Sequence, residues 1–251
     1  MTSHPQVDPT YTFVSVSTAK PGKLQELAAL ASRPGELMDE KIHGVIARQV
    51  GIDKERNSVV VWVTVDSKET VYDYLATEEG KEDHGENEDM SAILDTFEMW
   101  DLVPFSGRLH TDALSHHHLS HTAHDTHAAH QTHNPHSPQG SLSAHHPWPG
   151  PTYTFVSVST AKPGKLQELA ALASRPGELM DEKLDGVIAR QVGIDKERNS
   201  VVVWVTLDHK KTMDDYLATE EGKRDHGEDI DMSAIIDTFK MYDLVPYSGR
   251  F

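Results

Sequence analysis

The sequence predicts an α+β fold in which two β-α-β-β-α-α-β units pair sheet to sheet. Three observations predict it. Residues 11–109 and 153–251 are one text written twice, identical at 84 of 99 aligned positions with a constant offset of 142. Each copy alternates β-branched runs of period two with stretches of helical period. Between the copies, residues 110–152 are polar, rich in histidine and free of apolar periodicity. The chain therefore divides into a tail (1–10), a first repeat (11–109), a flexible joint (110–152) and a second repeat (153–251).

Within a repeat the elements read in order. YTFVSVST (11–18) alternates strictly and is β-branched and aromatic, which predicts a strand. Lys20-Pro21-Gly22 turns the chain. Leu24, Leu27, Ala28 and Ala31 recur at helical spacing and give a helix with one apolar stripe. Arg33-Pro34-Gly35 breaks or kinks it, and a short continuation carries Leu37 and Met38. Gly44 releases the chain into a second strand, VIARQVGID, and Asp53–Asn57 forms a polar turn. SVVVWVTVD (58–66) is apolar on both faces, so it belongs in the middle of the sheet. Asp66 with Glu69 has the pattern of a capping box opening a helix to about Lys81; the second copy has Asp208 with Lys211, half of the box. A short helix over Met90, Ala92, Ile93 and Phe97 and a strand near 99–105 complete a ferredoxin-like unit.

Such a sheet, covered by helices on one side, would leave Val14, Val16, Val60 and Trp62 bare on the other. Packing the two sheets face to face, about 10 Å apart, buries them. The joint is long enough: about 42 flexible residues span roughly 35 Å, against about 30 Å for a domain of this size. The repeats then meet at effective concentrations in the mM range. Pairing between chains, and further homo-oligomerisation, use the same surfaces.

Composition narrows the partners. A formal charge of −17 repels nucleic acid and anionic lipid, so neither is expected. No apolar run approaches the ~18 residues of a membrane span. MTSHPQVDPT has neither a basic start nor an apolar core, so no secretory signal is expected and the cytoplasm is the predicted compartment. There is no cysteine, which excludes disulfides, thiol catalysis and thiolate-held zinc or iron–sulfur clusters. The scattered carboxylates read as a solvated acidic surface suited to high salt, where screening removes self-repulsion.

The order of elements, together with VSVSTAKPGKLQEL, Gly44-Val45-Ile46 and WVTVDSKETVYDYLATEEGKEDH (62–84), resembles the antibiotic biosynthesis monooxygenase family of the dimeric α+β barrel superfamily. The second copy repeats the last run as WVTLDHKKTMDDYLATEEGKRDH (204–226). The resemblance covers both repeats and excludes the joint. It implies one small-molecule cavity per repeat and an oxygenase activity, either on aromatic substrates without a cofactor or on haem. In the haem-degrading branch an aromatic residue stands ten positions before a haem-ligating histidine. Tyr74 and His84, and Tyr216 and His226, have that spacing, although the branch usually carries tryptophan at the first position. The acidic composition and histidine-rich joint are also similar to haloarchaeal proteins in which such a unit is tied to another α+β barrel.

The candidate catalytic residues are therefore His84, His226, Tyr74 and Tyr216. The plainer reading of each histidine is a helix C-terminal residue followed by glycine and favoured by the dipole. Ten residues of continuous helix set Tyr74 and His84 about 80° apart, on adjoining faces. Candidate cofactor-binding residues are His84 and His226, with Trp62 and Trp204, whose plainer role is packing between sheets. Asp83, Glu86 and Asp89 read as a solvated acidic face. The exchanges His43 for Asp185 and Ser67 for His209 read as surface variation.

The joint holds twelve of the seventeen histidines. His118, His121, His124, His127, His130, His133 and His136 recur every third residue, preceded by His116 and His117. A polyproline II helix would align them at about 9 Å spacing. Neutral imidazoles at this density are expected to bind Ni²⁺, Cu²⁺ or Zn²⁺ without much selectivity; a soluble spacer is the alternative. The functional expectation is an oxygenase acting on haem or an aromatic small molecule. The rival is a non-catalytic haem or metal carrier using the histidine tract, and a scaffold without a ligand is a third reading.

Overall fold

A computed structural model describes residues 11–35, 38, 42–85, 89–109, 153–182 and 184–250. The tail and the joint, with its histidines His116 to His136, lie outside the described residues. The first repeat runs β1 (Tyr11–Ala19), α1 (Leu24–Ser32), β2 (Val45–Asp53), β3 (Ser58–Val65), α2 (Lys68–Leu75), α3 (Glu78–Asp83), α4 (Met90–Ile93) and β4 (Leu94–Leu109). The second runs β5 (Tyr153–Ala161), α5 (Leu166–Ser174), α6 (Gly177–Glu182), β6 (Val187–Asp195), β7 (Ser200–Leu207), α7 (Lys210–Leu217), α8 (Glu220–Asp225), a 3₁₀ turn (Met232–Ala234) and β8 (Ile236–Arg250).

The strands form one closed antiparallel barrel in the order β1-β3-β2-β8-β5-β7-β6-β4. Within the first repeat β3 lies between β1 and β2, with Val14 opposite Trp62 and Gln49 opposite Trp62 on its other side. That central place matches its run of valines, seven of whose eight residues are buried. The repeats are joined at their edges, where β2 pairs with β8 and β4 pairs with β6. The two inner faces pack on one another as expected of an α+β barrel, and hydrogen-bonded seams close it. β4 covers 94–109 where the sequence predicts 99–105: pairing with β1 extends its start and the seam extends its end. Its last third leaves its own repeat to pair with Gln191, Arg190 and Ala189.

The faces that the sequence left bare meet inside the barrel. Val14, Val16, Val60, Trp62, Trp100 and Leu102 pack with their counterparts Val156, Val158, Val202, Trp204, Tyr242 and Leu244. Burying each such side chain contributes about 1.5–3 kcal/mol. The helices lie outside. Leu27, Ala28 and Leu30 of α1 are buried, and the first two pack on Val50, Ile52 and Val59. Val71 and Tyr74 of α2 pack on Tyr11, Val63 and Val65.

A polar belt crosses the interior. Thr64 Oγ1 donates to Gln191 Oε1 at 2.9 Å and accepts from Trp62 Nε1 at 2.9 Å. The second copy repeats it, with Thr206 Oγ1 to Gln49 Oε1 at 3.0 Å and Trp204 Nε1 to Thr206 Oγ1 at 3.0 Å. Each bond from threonine to glutamine crosses from one repeat to the other. Among the described residues, no helix is long and apolar enough to cross a membrane.

Candidate functional site

The single helix expected over 66–81 is two. The first is capped by Ser67, whose hydroxyl accepts from the Thr70 amide at 3.3 Å. Asp66, expected as the cap, accepts instead from the Thr70 hydroxyl at 2.6 Å. At the equivalent of Ser67, His209 makes no side-chain cap, so this exchange is more than surface variation. The helix stops at Ala76, and Thr77 starts the next by accepting from the Gly80 amide at 2.9 Å. Thr219 does the same for Gly222.

This break brings the candidate residues together. Across it, Tyr74 and His84 lie edge to face with ring centroids 5.5 Å apart, and Tyr216 and His226 lie 5.4 Å apart. Both tyrosines are buried. Their hydroxyls donate to Asp83 at 3.0 Å and to Asp225 at 3.1 Å. Burial first, and then the neighbouring carboxylate, pushes both phenols well above their ordinary range.

Both histidines are exposed and cap the second short helix. His84 Nδ1 lies 2.8 Å from the Gly80 carbonyl, and His226 Nδ1 lies 2.9 Å from that of Gly222. A carbonyl only accepts, so Nδ1 must carry the proton. In the neutral ring Nε2 then holds the lone pair. The plainer expectation of a C-terminal capping histidine is thus met by the Nδ1 edge of the ring.

Beyond His226 the chain turns at Gly227, which faces Met232 and Leu172. Leu172 also lines a cleft of about 160 Å³ with Glu168, Ala171, Arg175, Ile230 and Ile235. Its floor is apolar. Arg175, at its rim, donates to Asp229 at 3.3 Å. Beneath Tyr216 lies a buried ion pair, in which Arg190 Nε and Nη2 donate to Asp181 at 2.9 and 2.8 Å. Neither the cleft residues nor this pair was anticipated. The one available signal was a charge, Arg48 or Arg190, in the middle of an otherwise apolar strand.

Trp62 and Trp204 are placed elsewhere. They pack on one another inside the barrel, centroids 5.2 Å apart, and are 3% exposed. A gap beside Trp204, bounded by Gln49, Val50, Gly51, Thr154 and Pro246, is too narrow to admit a water molecule. Among the described residues, no group of three or more histidines and carboxylates is arranged to hold a metal ion.

No protein-family model and no curated protein matches the chain. Solved structures do. A Lactobacillus acidophilus protein provisionally named a monooxygenase aligns over 96% of both chains with a TM-score of 0.65 and 10% identity. A Fusobacterium nucleatum protein with the same provisional name aligns over 96% of this chain and 94% of its own, with a TM-score of 0.67 and 10% identity. An anthrone oxidase-like protein aligns over 97% and 93%, with a TM-score of 0.58 and 15% identity. The likeness takes in both repeats, and the fold of this chain is the one these monooxygenase-like proteins have.

Proposed function

We propose that the second repeat, with the cleft beside His226, is an oxygenase unit acting without a bound cofactor on a fused-ring aromatic substrate with an acidic C–H or O–H. The observation that carries this reading is the His226 ring. Its Nδ1 is pinned to a carbonyl, the residue is exposed, and the glycine after it touches Leu172, which lines the cleft. The cleft takes one end of the substrate. Nε2 removes the proton, and buried Tyr216 holds the imidazole by its ring edge.

The resulting anion is electron-rich and reduces O₂ directly. For a benzylic CH₂ between two rings, both hydrogens leave with one oxygen atom as water and the other becomes the carbonyl. Electrons balance without an added reductant. The name of the anthrone oxidase-like neighbour is consistent with such a substrate.

Haem does not fit the residues present. A cleft of 160 Å³ is well below the ~300 Å³ at which pockets for drug-sized ligands begin, so it cannot enclose a porphyrin, and a three-ring substrate enters it by one end only.

Anthrone supplied under ¹⁸O₂ tests the proposal. Anthraquinone with one labelled oxygen is the expected product, and His84→Ala with His226→Ala should slow it by about 10²–10⁴-fold. Absence of O₂ uptake, or an unchanged rate in the double variant, overturns it.

The period of three in the joint supports a second, separable role in binding divalent transition metals. Replacing the histidines from 116 to 136 by glutamine should abolish retention on immobilised Ni²⁺. Retention at the parent level removes this role.

A further inference from the structure

Equivalent residues of the repeats lie 142 positions apart. Where two equivalents touch, the pseudo-twofold axis relating the repeats passes between them. Two such pairs occur. Trp62 meets Trp204 in the core. Lys240 Nζ donates to Glu98 Oε2 at 2.8 Å. Glu98 shares a strand face with inward-pointing Trp100 and Leu102 and lies nearer the barrel's end.

At the first pair the copies are the same. At the second they carry opposite charges. Other contacts between the repeats recur in both directions. Thr64 reaches Gln191 as Thr206 reaches Gln49. Arg56 lies over Tyr242 at 5.3 Å as Arg198 lies over Trp100 at 5.5 Å. With 84 of 99 positions identical, either repeat would seal a barrel with a second copy of itself, were it not for the axis. There, like pairing would set Glu98 against Glu98, or Lys240 against Lys240.

We infer that Glu98 and Lys240 are a matching device: the pairing surface of each repeat fits the unlike repeat and disfavours its own copy. The side chains are 40% and 47% exposed, so the attraction by itself is small. Selection depends on the difference between an attractive and a repulsive pairing, which is larger than either. The Glu98 carboxylate also holds the Lys240 ammonium above its ordinary range. The device disfavours cross-linking of chains through like repeats, which are otherwise nearly interchangeable.

The test uses the full chain with Glu98→Lys, Lys240→Glu, and the two together. Each single variant presents like charges in every possible pairing. At low ionic strength each should unfold about 2–4 °C below the parent and refold from denaturant with a larger oligomeric fraction by size exclusion. The double exchange should restore both readings. In about 1 M salt, where the Debye length is ~3 Å, the differences should shrink. Single variants that refold to the parent's monomer fraction, or a double exchange no more stable than the singles, overturn the inference.

Discussion

Tyr216 donates its hydroxyl to Asp225 at 3.1 Å across the junction of two short helices, and the junction exists because Thr219 starts a new helix. The bond ties the second helix to the barrel through a phenol that is itself buried. Tyr216→Phe keeps the packing and removes the bond. Stability should fall by about 0.5–1.5 kcal/mol, read as a lowered Tm with unchanged far-ultraviolet circular dichroism. A Tm at the parent value would mean that the bond contributes nothing.

Three buried tyrosines and the half-buried Tyr153 also set an alkaline limit. Burial, and then a carboxylate partner, raises the phenols of Tyr11, Tyr74, Tyr153 and Tyr216 above the ordinary value of 10.0. The folded chain keeps protons that the unfolded chain loses first. Stability is therefore fully present below pH about 10 and declines as pH rises beyond it. Thermal unfolding at pH 9 and pH 11 should show the loss. Tyr74→Phe with Tyr216→Phe should lose less over that interval, and an identical loss would assign the decline to other groups.

The interior belt predicts an asymmetry between two substitutions. Thr206→Val deprives Trp204 Nε1 and Gln49 Oε1 of the partner they share, at a cost of about 1–3 kcal/mol per stranded group. Gln49→Met removes an acceptor together with an amide nitrogen that is buried without a hydrogen-bond partner, so it should cost much less. Denaturant midpoints would rank the two. Equal losses would show that the belt is not acting through these bonds.

Gly107 sits in the β4·β6 seam at φ +128°, and a Cβ there would lie 2.2 Å from the Arg190 carbonyl oxygen. Neither backbone can yield without opening the barrel. Gly22 has φ +79° but open space around it. Gly107→Ala should therefore destabilise far beyond the roughly 1–3 kcal/mol of backbone strain alone, while Gly22→Ala should stay within that range. Comparable Tm values for the two would contradict the seam as drawn.

His209→Ser tests the missing cap on α7. Supplying the hydroxyl that Ser67 provides in the first repeat should add about 0.5–1 kcal/mol, and Ser67→Ala should remove a similar amount. Thermal unfolding of both variants gives the comparison, and opposite signs for the two are required.

Much of this was legible from residue type and spacing. The alternation of YTFVSVST and the doubly apolar β3 announced their places, because side-chain burial writes itself into the sequence. The seams did not. Edge pairing of β2 with β8 uses backbone groups that every residue carries, so no pattern betrays it. The closeness of Tyr74 and His84 was half legible. Their spacing suggested a shared region, but a continuous helix would have set them on adjoining faces. Thr77 followed by two glutamates was the signal for the break, and it competes with the good helix formers around it. The cleft was not legible, since Leu172, Ile230 and Ile235 come from separate elements that only the fold brings together.

The two seams have a consequence for how the chain can be cut. Every ladder among the described residues joins strands of one repeat or crosses between the repeats through space. A protease cutting between residues 110 and 152 would sever the covalent chain and leave every described rung in place. The halves would remain a two-chain protein held by β2·β8 and β4·β6. The molecule can be nicked without being divided, and its halves are natural candidates for a split reporter that regains its shape when they meet.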